Sequence, residues 1–248
     1  MILGMSFDFT AVAKQYAEYR PHYPNELAAQ LAALCRSRER AWDIGCGSGQ
    51  LTQSLAPQFA RVVATDPSQG QLDNAPKLAN VEYRRATAEA STLDAASVDL
   101  AVAAQAAHWF DWPRFVVEVA RVAKPGGVVA LVSYGIIEVD HAPSIRHYYF
   151  ETLAGFWPPE RRHVENGYRE LVWPWPELSA PRIAMTAEWT RAELIGYVTT
   201  WSATAKLVAE RGNAPLDAFV ASLAREWPDD HERRTIRWPL TLRLARVP

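Results

Sequence analysis

Cysteine is scarce in this chain, with two in 248 residues, Cys35 and Cys46. They form no CxxC pair and show no cysteine/histidine ligand spacing, which excludes a disulfide framework and a zinc cluster as the source of stability. A reducing, cytoplasmic setting is the expectation. Long apolar runs are also missing, and the opening MILGMSFDFT has no basic segment followed by an apolar core. A membrane span or cleaved leader is therefore not expected, and the chain reads as soluble and unprocessed. Nor does one sign of charge dominate: the formal net charge is −2, with 26 basic residues that are dispersed apart from short clusters. Without a basic face for a phosphate backbone, a nucleic-acid partner is disfavoured and a small-molecule substrate is expected. The oligomeric state is left open.

Apolar residues are plentiful, at 49% of the chain, enough for one well-buried core without metals or disulfides. One domain over residues 1–248 is the expectation. Ten tryptophans and 17 prolines stand out, several of them in FWPPERRHVENGYRELVWPWP, residues 156–176. That stretch reads either as the lining of an apolar pocket or as a stiffened loop.

Periodicity places a first helix over Asn25–Arg38, with Asn25 as its N-cap behind Pro24. Next come RAWDIG as a strand, a glycine turn and QLTQSLA as a helix. RVVATD (61–66) is a second strand, QLDNAPKLA a helix interrupted by Pro76, and VEYRRA a third strand. VDLAVAA (98–104) is a fourth, and Asp111 caps a helix that turns Phe115, Val119 and Val122 inward. KPGG ends that helix and VVALVSYG is the fifth strand. Strands alternating with helices predict a doubly wound, mostly parallel sheet with ligands at the carboxyl ends of its strands.

Beyond Gly135 the alternation stops. Residues 136–180 read as a cap insertion with a helix near 143–154, and 181–248 as the rest of the sheet and its helices. A strand near Ala184–Trp189 precedes a capping box, Thr190 to Glu193, that opens a helix to about Trp201. The final strand, Arg237–Leu244, alternates as an antiparallel strand should, and Pro239 within it implies an edge or a bulge.

The glycine turn in AWDIGCGSGQL carries the chemistry. Gly45, Gly47 and Gly49 do not match G-x-G-x-x-G, because Gln50 stands where the third glycine belongs, and no lysine follows as in a phosphate loop. Asp43, two residues ahead of Gly45, would repel a pyrophosphate and suit a cation. S-adenosylmethionine carries an ammonium and a sulfonium and no phosphate. Asp66, ending the second strand, is placed to accept from ribose hydroxyls, a role it would share in a dinucleotide site.

DIGCGSG, VVATDPS, ATAEASTLDAASVDLAVAAQAAHWFD and RVAKPGGVVALVSYG together resemble the class I S-adenosylmethionine-dependent methyltransferases over roughly residues 40–135. AQAAHWF, YAEYRPHYP and the cap sequence resemble the trans-aconitate methyltransferase type within that family. The resemblance implies a Rossmann-like seven-stranded α/β sheet over a cofactor-binding core, with residues 1–38 as an N-terminal helical lid and first helix. It implies S-adenosylmethionine as cofactor and S-adenosylhomocysteine as product. Gly45 and Gly47, with Cys46 between them, would admit the methionine part, Asp43 would neighbour its amino group, and Asp66 with Pro67 would hold the ribose. Thr87-Ala88 stands where family members often have an acid before Glu89, leaving the adenine contact to Glu89 or the Ala88 amide. Gln105 would face the methyl end, and Tyr16, Tyr19 and Arg20 would form part of the lid.

His108, where the fourth strand ends, reads either as a base, as a contact to the acceptor, or as a structural residue. A carboxylate acceptor needs no base, whereas a phenol or amine does. Trp109 and Trp157 are candidates for lining the acceptor site. Arg161 and Arg162, beside His163, either receive an anionic acceptor or form a solvated charge cluster. Cys46 reads as a small apolar turn residue and not a nucleophile. Methyl transfer to a small molecule, with a carboxylate acceptor giving a methyl ester, is the leading expectation. A silent S-adenosylmethionine-binding module or an NAD(P)-dependent oxidoreductase are the alternatives; a nucleic-acid methyltransferase would want a basic surface and an Asn/Asp-Pro-Pro-aromatic motif where this chain has QAAHWF.

Overall fold

The structure is a computed structural model and describes residues 23–248. Its elements in chain order are α1 (Asn25–Ala33), β1 (Arg40–Ile44), α2 (Thr52–Leu55), β2 (Arg61–Asp66), α3 (Gln69–Asp73), β3 (Val81–Arg85), β4 (Val98–Ala104), α4 (Trp112–Val122) and β5 (Ala123–Tyr134). There follow α5 (Pro143–His147), α6 (Arg161–Glu165), β6 (Glu177–Leu178), β7 (Ala184–Trp189), α7 (Arg191–Thr199), α8 (Ser202–Arg211), α9 (Ala214–Glu226) and β8 (Arg234–Arg246). All seven expected strands are present. The eighth, β6, spans only two residues and is too short to show a period.

The strands run in the order β3-β2-β1-β4-β5-β8-β6, with β7 pairing β8 off this path. The first five pair in parallel, Asp43 lying opposite Ala64 on one side and Val102 on the other. The chain leaves β1 toward β2 and β3, then returns to β4 on its other flank, which makes a switch point. On sheets of this kind ligands bind outside the carboxyl ends of the strands at such a point, here those of β1 and β4. β8 joins β5 antiparallel from Val128↔Arg246 to Tyr134↔Leu240.

The chain forms two compact units. One holds residues 23–135 with Glu160–Met185 and Pro239–Pro248, and the other Ile136–Pro159 with Thr186–Trp238. In the first, β4 is buried along nearly its whole length, as expected of a strand covered on both faces. Asp111 accepts from the Arg114 amide to cap α4, and Phe115, Val119 and Val122 are fully buried against Trp42, Ile44, Ala101 and Val129. Asp99 at the start of β4 accepts from the Ser37 hydroxyl at 2.6 Å and from the Glu39 and Arg40 amides at 2.9 Å each, with Lys124 beside it at 3.0 Å. That carboxylate fastens the entry of β1 to β4.

The second unit has an aromatic core. Tyr148 stacks on Phe219 at 4.4 Å, Trp189 meets Trp238 edge-on at 4.9 Å, and Tyr149 contacts both Trp157 and Trp201. The capping box at Thr190 and Glu193 is present and opens α7.

Three local expectations are corrected. Pro24, not Asn25, occupies the N-cap of α1, and the Asn25 side-chain carbonyl accepts from the Ser54 hydroxyl at 3.2 Å; the helix also stops at Ala33, short of Arg38. The helix after β2 ends at Asp73, before Pro76, since a residue preceding proline is pushed out of the helical region and the chain leaves early. β8 lies between β5 and β6 and is not an edge; Pro239 falls just outside the register with β5, so its missing N–H removes nothing from that ladder.

Truncating Phe115 to alanine leaves a cavity where repacking is constrained on both sides by sheet and helix. The expected loss is about 3–5 kcal/mol of unfolding free energy by urea titration. A loss below about 1 kcal/mol would show that α4 does not hold this core.

Candidate functional site

Asp43, one residue before the end of β1, is almost wholly buried, with its Oδ2 accepting from the Thr52 hydroxyl at 2.6 Å. Burial pushes its carboxyl up to about 7; the Thr52 hydroxyl works against the rise and the negative field of Asp66 adds to it. Asp66 ends β2 and ties the turn together: its Oδ2 accepts from the Gly47 amide at 2.9 Å and its Oδ1 from the Ser68 amide at 2.8 Å. Burial raises its carboxyl too, opposed by those two amides.

Gly45 has φ +64°, and a Cβ there would lie 2.6 Å from the Ala106 side chain in the turn after β4. Only glycine fits both the left-handed backbone and the close approach. Cys46 is buried, its amide donating to the Thr65 carbonyl at 3.0 Å, and its thiol is pushed upward by burial and by Asp43 and Asp66. A nucleophilic thiolate is thus disfavoured.

Gln105, immediately after β4, has φ +53° and donates through its side-chain amide to the Tyr134 carbonyl at 2.8 Å. Its Oε1 is buried without a hydrogen-bond partner among the described residues. An orphaned acceptor of this kind normally costs free energy unless a ligand donates to it. Ala88 is buried, Pro67 is exposed, and Glu89 accepts from the Asp111 amide at 2.9 Å, so one of its oxygens serves the start of α4.

His108 lies in a single 3-10 turn, Ala107–Trp109, with its Nδ1 3.1 Å from the Tyr168 hydroxyl. Burial drives its imidazole down to about 3, helped by the positive fields of Arg161 and His163, so the ring is neutral at physiological pH. Trp109 is half exposed and packs against His108 at 4.8 Å. Of the basic cluster, Arg161 acts on His108 and Arg162 is exposed. Trp157 belongs to the other compact unit, where its indole donates to the Tyr149 carbonyl at 3.2 Å. Tyr16, Tyr19 and Arg20 lie outside the described residues.

The Trp/Pro stretch divides in the same way. Trp173 is buried against Trp112 at 4.8 Å and Trp175 at 5.9 Å, core packing in the first unit. Two partners of the site were not foreseen, Thr52 and Tyr168. Asn166-Gly167 just before Tyr168 is a turn signal that could have marked the second. No group of three or more metal-ligating side chains occurs among the described residues, and no helix among them is long and apolar enough to cross a membrane.

An unpartnered acceptor at Gln105, a buried acid at Asp43 and a glycine turn with no lysine suit a ligand that brings a cation and hydrogen-bond donors. Residues 42–131 match the family model described as a methyltransferase domain. A Dictyostelium discoideum protein named as a methyltransferase is 36% identical over 206 residues, covering 81% of this chain and 78% of that protein. A Saccharomyces cerevisiae protein named as an S-adenosylmethionine-dependent methyltransferase is 31% identical over 144 residues, 54% of this chain and 50% of its own. A solved structure described as a type II methyltransferase from Anaeromyxobacter dehalogenans is 42% identical with a TM-score of 0.87, over 92% of this chain and 98% of that one. The chain belongs to the S-adenosylmethionine-dependent methyltransferases.

The raised carboxyl of Asp43 has a consequence for stability. The folded chain holds this proton more tightly than the unfolded chain, so stability falls as pH rises from about 4 to about 7. Relative to Asp43→Asn, wild-type unfolding free energy should decline between pH 5 and 7 with a slope approaching about 1.4 kcal/mol per pH unit. Parallel pH profiles for the two proteins would contradict the burial argument.

Proposed function

We propose that the chain methylates a small organic acid on a carboxylate oxygen, releasing a methyl ester. The observation that carries this reading is the end of β4, where a neutral His108 sits within the positive field of Arg161. Such a pair favours an anion and offers little basicity, and a carboxylate is already ionised at neutral pH.

When bound, S-adenosylmethionine supplies an electrophilic methyl carbon, which the acceptor oxygen takes as the C–S bond breaks to leave S-adenosylhomocysteine. In this reading Asp43, in its ionised form, and Gln105 Oε1 receive the ammonium end of the cofactor. The Gly45–Gly47 backbone, with Cys46 packed beneath it, borders the methionine part. Asp66 and Pro67 neighbour the ribose, and the Ala88 amide faces the adenine. Arg161 and Trp109 receive the acceptor. Little acid–base chemistry is asked of the protein; alignment of acceptor and methyl group in a site closed to bulk water can supply most of the rate.

A panel of small carboxylates, phenols and amines, read by S-adenosylhomocysteine release, tests this directly. Carboxylates should react at least about tenfold faster than the others, with kcat flat between about pH 5.5 and 8.5 because no base titrates in that range. Equal rates with and without organic acids, or a kcat that climbs about tenfold per pH unit, would overturn it.

A further inference from the structure

Tyr168 is buried and sits in an unusual backbone. Gly167 and Tyr168 both have φ +59°, and a Cβ on Gly167 would lie 2.7 Å from Thr241 of β8. The Tyr168 amide donates to the His163 carbonyl at 2.7 Å, and its own carbonyl accepts from Arg243, which also pairs with Glu177. Two successive left-handed residues, one of them not glycine, persist only where the surroundings hold them. What this turn delivers is the phenol beside His108: the rings are stacked at 17°, with their centroids 6.3 Å apart and the hydroxyl 3.1 Å from Nδ1.

The contact with His108 Nδ1 is the one hydrogen bond described for this buried phenol. A buried hydroxyl that does not place its one proton on an acceptor pays for leaving it unpaired. The phenol's one proton is then directed at His108 Nδ1. A neutral imidazole has a single proton, and with Nδ1 accepting, that proton resides on Nε2.

We propose that Tyr168 is a positioning residue that fixes His108 as a neutral Nε2–H donor, so that His108 holds one oxygen of an anionic acceptor and does not act as a base. This rests on the carboxylate reading of the same site. Methylation of a carboxylate liberates no acceptor proton: an oxygen lone pair forms the new O–C bond, the C–S electrons return to sulfur, and the imidazole keeps its proton throughout. The charged and titratable groups that act on this pair are Arg161 and His163 of α6, with Arg161 and Tyr134 acting on the phenol; the Arg161 guanidinium opposes imidazole protonation. An acceptor that must lose a proton, such as a phenol, finds no lone pair on Nδ1 and a proton already on Nε2.

Nitrogen-15 NMR of the imidazole in the intact protein reads the tautomer with no acceptor present. Wild type should show His108 neutral and protonated at Nε2 from pH 5 to 9, and Tyr168→Phe should mix the two tautomers while leaving the dissociation constant of S-adenosylhomocysteine unchanged. With the best carboxylate from the panel, Tyr168→Phe should raise KM roughly three- to tenfold, the range for one neutral hydrogen bond. His108→Gln, which retains a donor N–H, should lose far less than the 10²–10⁴-fold typical of removing a base. A wild-type His108 protonated at Nδ1, or charged at pH 6, would overturn the proposal whatever the acceptor is. A panel without any carboxylate substrate, beside an Nε2–H tautomer, would instead overturn the acceptor reading and leave the Tyr168–His108 arrangement intact.

Discussion

Everything at the carboxyl edge of this sheet depends on two carboxylates buried at the ends of adjacent parallel strands. Burial raises the carboxyls of both Asp43 and Asp66, and the negative field of Asp66 adds to the rise at Asp43. Asp66 is stabilised by two backbone amides, one of them from Gly47, which fixes the turn. Asp43 has the Thr52 hydroxyl alone among the hydrogen bonds described for it. A buried acid so weakly compensated is costly to ionise, and in the proposed reading the ammonium end of the cofactor offsets that cost.

The other flank of the switch point follows from the same sheet. β4 delivers Gln105 in a left-handed conformation and then the His108 turn, and Gly45 must lack a side chain because Ala106 occupies the space. The strand order therefore brings the glycine turn after Asp43 and the histidine to neighbouring turns without any long loop. Charge is segregated across that short distance: acids at the ends of β1 and β2, and the positive field of Arg161 around His108. The proposed reading, a cofactor with a positive end and an anionic acceptor, uses those two signs.

Much of this was legible in the sequence because the relevant signals are local. β2, β4 and β7 have the residue bounds that their apolar runs and turn residues indicate, and Asp111 and Thr190 cap the helices they precede. The missing lysine after the glycines excludes a phosphate loop, and Gln50 with Asp43 argues against a pyrophosphate, all within eleven residues. What could not be read depends on distant partners. Pro239 argues for an edge in any local reading, yet the ladder to β5 ends one residue away at Leu240. Asn25 resembles an N-cap until Ser54, 29 residues on, donates to it. Tyr168 lies 60 residues from His108, and no periodicity announces the contact. The tryptophan-rich stretch looked like one feature and is two, with Trp157 and Trp173 serving separate cores.

The account is tested most directly by calorimetric titration of S-adenosylmethionine into wild type and Asp43→Ala, with NAD as the comparison ligand. Wild type should bind the sulfur nucleotide and not NAD, and removing the acid should weaken binding by about 1.5–3 kcal/mol, the worth of a hydrogen bond to a charged group. An unchanged dissociation constant in Asp43→Ala, or binding of NAD by wild type, would contradict the claim that the buried acid at the end of β1 selects a cationic ligand.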